Sequence, residues 1–250
     1  SHLFLQTLPN TGDENGKDIM EGQPFDCPQQ PFGGEEDYTW SPDSKSIIYV
    51  TKRKSGKDYA LSTNTDIYSY DIVTGKTSNL SEGMQGYDTH PLFSEQGTLA
   101  WLSMKRDGYE ADKNDIVVRR GDQMTNLTAG WDGTVNTFVW SQDGQKIFFT
   151  APVDGTIQLF EVDGRAGNSG KGAAVKQITN GQFDVTGIVG QTVNELVVSR
   201  TDMNHATELF KVNLSNGSFT QLTHVNDETY KGLALGKVEK RYVRATDGKQ

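Results

Sequence analysis

The chain has 250 residues and a formal net charge of −9 at pH 7. That is long enough for one large all-β domain or two ordinary ones, and too acidic to favour nonspecific binding to nucleic acid or to an anionic membrane. It carries 27 glycines but only 7 prolines, a balance that suits many tight hairpin turns, and no apolar run approaches the roughly 20 residues a membrane helix needs.

The first predicted element is a strand at His2-Leu3-Phe4-Leu5, with a second at Asp18-Ile19-Met20. Between them, Thr11-Gly12-Asp13-Glu14-Asn15-Gly16 hints at a calcium loop, but registered on Gly16 it lacks the carboxylates at the first and twelfth positions; a solvated hairpin is the better reading. Cys27 is the single cysteine, so no internal disulfide forms and no redox compartment follows. With no histidine nearby, it reads as a passive buried thiol. The four histidines, His2, His90, His205 and His224, show no metal-ligand spacing, and no metal site is expected.

From residue 35 onward three signals recur in order. The first is Trp40-Ser41-Pro42-Asp43-Ser44 running into Ile47-Ile48-Tyr49, echoed by Trp140-Ser141-Gln142-Asp143-Gly144 running into Ile147-Phe148-Phe149. Phe93-Ser94-Glu95-Gln96-Gly97 before Leu99-Ala100-Trp101 is weaker, and Gly190-Gln191-Thr192-Val193-Asn194 before Leu196-Val197-Val198 is degenerate. The second signal is Asp66-Ile67-Tyr68-Ser69-Tyr70-Asp71-Ile72-Val73-Thr74-Gly75-Lys76, matched by Glu208–Ser218 and, in shorter form, by Asp115–Val118 and Gln158–Val162. The third is Asn79-Leu80-Ser81, repeated as Asn126-Leu127-Thr128, Gln177-Ile178-Thr179 and Gln221-Leu222-Thr223.

Aromatic and β-branched residues at alternate positions predict strands with one buried face. The Ser-x-Asp-Gly and Asp-x-x-Thr-Gly segments predict the tight turns between them. Each unit thus reads as four strands in about 50 residues, the length of a propeller blade. No amphipathic window of useful helical length is present. The fold expected is all-β: a partial β-propeller of about four complete blades plus part of a fifth. Residues 1–34 form the end of a truncated blade and a linker. Residues 35–238 hold the four blades, at about 35–85, 86–131, 132–182 and 183–235, and residues 239–250 begin a connection to a further domain. A chain that starts in mid-blade is expected to be a piece of a longer protein, with exposed strand edges.

Candidate chemistry is sparse. There is no Gly-x-Ser-x-Gly nucleophile elbow. The loop Gly164–Gly172 fails as a phosphate loop, because Gly172 stands where Ser or Thr is required and no helix follows. A sialidase-like reading of the Ser-x-Asp-Gly turns needs arginines converging on a carboxylate, and the eight arginines follow no repeat phase. Two acidic-aromatic loops remain. One is Gly33-Gly34-Glu35-Glu36-Asp37-Tyr38; the other is Arg106-Asp107-Gly108-Tyr109-Glu110-Ala111-Asp112-Lys113, whose counterpart one repeat earlier is Lys54–Ser62. Long hairpins are often functional or disordered; clustered carboxylates suit an ammonium ligand, and a solvated charged loop is the other reading of each. Tyr109, Glu110 and Asp112 are the first candidates, Glu35 and Glu36 the second.

The Trp-Ser-Pro-Asp turn, with its Tyr-Asp-Ile-Val-Thr-Gly-Lys and Asn-Leu-Ser partners, resembles the propeller units of the prolyl oligopeptidase family of serine peptidases. It also resembles TolB-like propellers, so a protein-binding propeller without enzymatic role stays open. The hairpins Tyr59–Tyr68 and Met104–Lys113, with Gln30-Pro31-Phe32-Gly33-Gly34, look like the dipeptidyl-peptidase and acylaminoacyl-peptidase members of that family. The stretch Tyr242–Lys249 resembles the first strand leading into their hydrolase domain. The resemblance implies a non-catalytic gate and recognition wall in an exopeptidase that releases dipeptides or blocked amino acids from short peptides. Its catalytic Ser-Asp-His α/β-hydrolase domain would follow in the same chain. No catalytic residue and no cofactor is expected within these 250 residues. Short peptides and the hydrolase domain are the expected partners. The same resemblance implies a periplasmic or secreted protein, with the cytoplasm left open.

Overall fold

In the computed structural model, which describes residues 1–8, 16–31, 33–167 and 172–249, each repeated signal is a hydrogen-bonding device. Ser41 Oγ donates to Asp43 Oδ1 at 2.8 Å and accepts the Ser46 N–H at 2.9 Å, while Asp43 accepts the Lys45 N–H at 3.1 Å. Ser141 and Asp143 repeat the set at 2.6, 2.9 and 3.0 Å. The weaker copy keeps half of it: Ser94 Oγ accepts the Thr98 N–H at 3.1 Å, and Gln96 replaces the acid. The next residue is left-handed in all three turns, Gly97 at φ 84°, Gly144 at 63° and Ser44 at 57°. Glycine adopts that conformation without steric cost, which the serine bears.

The closing signal is a latch. Ser81 Oγ and Thr128 Oγ1 each accept a backbone N–H at 3.0 Å, from Ile67 and Ile116. Thr179 Oγ1 and Thr223 Oγ1 do the same at 2.9 Å, for Leu159 and Leu209. Each hydroxyl then donates to the side chain one residue before that N–H: Asp66, Asp115, Gln158 and Glu208 respectively. The latch pins the end of each outer strand to its neighbour. Thr128 is fully buried, so Thr128→Val leaves the Ile116 N–H without an acceptor. We expect a loss of about 1–3 kcal/mol in urea unfolding; a loss of a few tenths or less contradicts the latch.

The strands so defined are β1 (Phe4–Leu5) and β2 (Lys17–Asp18), then β3 (Tyr38–Trp40), β4 (Ser46–Thr51), β5 (Asp66–Asp71) and β6 (Thr77–Asn79). They continue as β7 (Asp88–Phe93), β8 (Leu99–Ser103), β9 (Asp115–Arg120) and β10 (Gln123–Asn126), followed by β11 (Thr137–Trp140), β12 (Lys146–Val153), β13 (Thr156–Asp163) and β14 (Lys176–Gln177). The last are β15 (Asp184–Gln191), β16 (Glu195–Thr201), β17 (Glu208–Asn213) and β18 (Phe219–Gln221). From β3 on they form four antiparallel sheets of four strands, each a meander in chain order. β1 and β2 pair alone. The α-helices among the described residues are short, α1 (Gly56–Leu61) and α2 (Asp227–Tyr230). Residues 232–249 form no strand and are exposed, so the stretch Tyr242–Lys249, which resembles a strand in sequence, is not one here.

Sheet packing corrects the expectation of one buried face per strand. Ile47 and Tyr49 of β4 pack with Ile19, Met20 and Cys27 of the N-terminal segment. Their neighbours Ile48 and Val50 pack the other way, against Leu99, Trp101 and Val117 of the second sheet. Ala100 and Leu102 on the far face of β8 meet Phe138, Ile147 and Phe149 of the third sheet. Phe148 then meets Leu196, Val198 and Val212 of the fourth. Alternate residues therefore serve two different interfaces, which is why the central strands read as continuous apolar runs. The first strands of successive sheets, β3, β7, β11 and β15, touch in turn. Sheets stacked face to face along their innermost strands are propeller blades. The β1–β2 pair and the segment after it cover the first sheet's free face, where a neighbouring blade would lie.

Candidate functional site

The segment entering β3 makes a 3₁₀ turn at Glu35–Asp37. Asp37 folds back and accepts the Gln29 N–H at 2.8 Å. Gly33 permits this approach: a Cβ there would lie 2.0 Å from Asp37 Oδ2 and 2.4 Å from Gln29 N. Burial pushes the Asp37 carboxyl up to about 6, against the Gln29 N–H and with the help of the Glu36 charge. With Asp37 turned inward, Glu36 is left exposed at the mouth of a cleft.

Two hairpins build the opposite wall. The one between β4 and β5 carries α1; the one between β8 and β9 carries the Asp107–Asp112 loop. Asp107 joins them, accepting from Ser62 Oγ and the Thr63 N–H at 2.7 Å each, and Thr63 Oγ1 accepts the Gly108 N–H at 2.9 Å. This staple carries Glu110 to the cleft.

The floor comes from β7. Its pairing with β8 slips between Thr89 and Leu92, and His90 within the bulge takes a left-handed φ of 58°. Such strain in a non-glycine residue concentrates at functional sites. Burial holds the His90 imidazole below its ordinary pKa, with the Glu36 charge opposing. The cleft has a volume of about 400 Å³ and is lined by Gln29, Gly33, Glu36, Asp37, Tyr87, Thr89, His90, Leu102, Glu110, Asn114 and Asn136. Glu36 and Glu110 make no ion pair among the described residues. The Lys52 charge reaches Glu110 from the adjoining hairpin without a close contact, and two carboxylates free of close ion pairs beside neutral amides suit a cationic head group that also offers hydrogen-bonding atoms.

The five residues singled out from sequence are thus dispersed. Glu36 and Glu110 share the cleft. Tyr109 lines an adjoining groove, and Glu35 lines neither. Asp112 is engaged by Arg106, whose Nε donates to both its oxygens at 3.0 Å. That guanidinium holds the Asp112 carboxyl below the usual range. Sequence reasoning passed over Asp37, Tyr87, His90, Asn114 and Asn136. One signal was available: Pro91 inside an inner strand marks a bulge, and the bulge is what turns His90.

Other clefts carry less chemistry. One of about 640 Å³, between the third and fourth sheets, has its charges spent in Lys146–Glu161 and Lys176–Glu161 pairs. In another of about 650 Å³, Arg200 is stacked among Phe183, Phe210 and Phe219, and Asp202 and Glu208 are already hydrogen-bonded. Among the described residues no group of three or more His, Cys, Asp or Glu is placed to hold a metal, and no helix is long and apolar enough to cross a membrane. Residues 11–15 of the calcium-like loop and 168–171 of the phosphate-like loop lie outside the described residues.

No family model matches the chain. Dipeptidyl-peptidase 5 of Porphyromonas gingivalis is 36% identical over 250 residues, 99% of this chain, and that of Porphyromonas endodontalis is 39% identical over 252 residues, all of it. The chain is homologous to dipeptidyl-peptidase 5 along its whole length. It spans 36% of the length of those two relatives. Among solved structures it resembles the acylaminoacyl peptidase of Pyrococcus horikoshii, with a TM-score of 0.60 at 19% identity over 79% of this chain and 28% of that one. It also resembles the β-propeller domain of the Trilobed protease from Pyrococcus furiosus, with a TM-score of 0.56 at 19% identity over 78% of this chain and 54% of that one. A TolB from Agrobacterium tumefaciens matches at 0.53 with 17% identity, over 74% and 63%. These structural likenesses are of fold: the four sheets are propeller blades, as the repeats imply.

Proposed function

We propose that this propeller is the recognition wall of a serine exopeptidase related to dipeptidyl-peptidase 5, and that the cleft receives the free amino terminus of a short peptide. The observation that carries the reading is the convergence of Glu36 and Glu110, from two different blades, on one cleft, neither of them held in a close ion pair among the described residues. The ammonium sits between these carboxylates, and Asn114 and Asn136 meet the first peptide unit. His90, held neutral by its burial, adds no competing positive charge. Bond cleavage belongs to the α/β-hydrolase domain of the same chain, so the propeller acts on access and orientation. The alternative, a protein-binding propeller of the TolB kind, is supported by fold likeness alone, whereas homology to dipeptidyl-peptidase 5 runs the whole length of the chain.

Both carboxylates are exposed, and exposed ion pairs are weak and screened by salt. Glu36→Gln and Glu110→Gln should therefore each weaken binding of a dipeptide amide only about fivefold, at low salt. Calorimetry at two ionic strengths reads this out, with the N-acetylated dipeptide as control. Unchanged affinity in both variants contradicts the reading.

A further inference from the structure

Tyr87 and Glu110 line not only the acidic cleft but also a second groove of about 870 Å³ between the two stapled hairpins. The two spaces share that wall, so a ligand held at Glu110 has the groove beside it. Three tyrosines, Tyr59, Tyr87 and Tyr109, line it with the apolar Leu61 and Pro31, and Lys52 also borders it. Two of the rings are braced. Lys52, nearly buried, donates to the Tyr59 and Ser62 carbonyls at 3.2 and 2.9 Å and lies 4.5 Å from the Tyr59 ring centre. Arg106, clamped by Asp112, lies 3.8 Å from the Tyr109 ring centre. Tyr109 is nonetheless 52% exposed. The cations order these rings, which lowers the entropic cost of binding against them.

We propose that the groove is a specificity subsite that takes the side chain of the ligand's amino-terminal residue and selects a large apolar or aromatic one. This rests on the reading that Glu36 and Glu110 hold the ammonium. Asp112 then has a positioning role: through Arg106 it orients Tyr109.

Calorimetry on the 250-residue chain tests the subsite with Tyr-Ala amide, Gly-Ala amide and N-acetyl-Tyr-Ala amide. Tyr-Ala amide should bind about tenfold more tightly than Gly-Ala amide, the preference expected for burying one aromatic side chain in a half-open groove. Tyr59→Ser and Tyr109→Ser should each cut that preference at least threefold, with Gly-Ala amide affinity and thermal midpoint unchanged, and Tyr109→Phe should keep it. Equal affinity for the two free dipeptides overturns the subsite and leaves the ammonium reading standing. Acetylated and free Tyr-Ala amide binding alike, or no dipeptide binding at all, overturns both.

Discussion

Phe149→Ala should lose about 3–5 kcal/mol of unfolding free energy. Phe149 is fully buried. It stacks on Phe160 at 5.5 Å between ring centres, with 15° between planes, and meets the edge of Trp131 at 5.4 Å. These rings belong to the core cluster that joins the second and third sheets. Truncation removes the transfer free energy and leaves a cavity that rigid neighbouring strands close only in part. Urea unfolding reads it directly, and a loss under 1 kcal/mol would show that the inter-blade core is not closely packed. Phe148, one residue along, faces the fourth sheet instead.

Asp88→Asn should stabilise the protein at neutral pH, by up to about 4 kcal/mol. Asp88 is fully buried at the start of β7, and neither carboxyl oxygen has a partner in good geometry, nor does the neighbouring Trp101 Nε1. Burial pushes its pKa up to about 7; Ser103, Ser81 and Trp101 pull the other way, and the Asp66 charge adds to the rise. In the unfolded chain the same group titrates near 3.9. The folded protein thus keeps its proton longer, so stability falls as pH rises from about 4 to about 7 and levels off above. The difference between the two pKa values sets the magnitude. Asparagine cannot ionise, so the gain should be absent near pH 4, grow through that window and stay constant above it. Asp37, raised to about 6, slopes the same way in both proteins and cancels in the comparison. A variant-minus-parent stability that stays flat from pH 4 to pH 8 would contradict the account.

Why the fold was legible and the site only half so has a physical reason. A blade depends on local devices. The Ser41–Asp43 turn needs its side chains two residues apart and the Ser81 latch reaches back to Asp66 within the same blade, so each leaves a repeat in the sequence. The site is a product of register and bulges between segments far apart in the chain. Nothing local distinguishes Asp112, paired to Arg106, from Glu110, which is not. Nor does the acidic run Glu35-Glu36-Asp37 show which member turns inward; that follows from the space at Gly33. The period-2 pattern was legible too, but its meaning depended on stacking, since a sheet between two others buries both faces.

The central claim is that Glu36 and Glu110 together receive a peptide's amino terminus. The most direct test is a crystal structure of the chain with Tyr-Ala amide at low salt. The account predicts the terminal nitrogen within hydrogen-bonding distance of both carboxylates, with the tyrosine ring in the groove between Tyr59 and Tyr109. A dipeptide bound with its amino group away from Glu36 and Glu110 would contradict it.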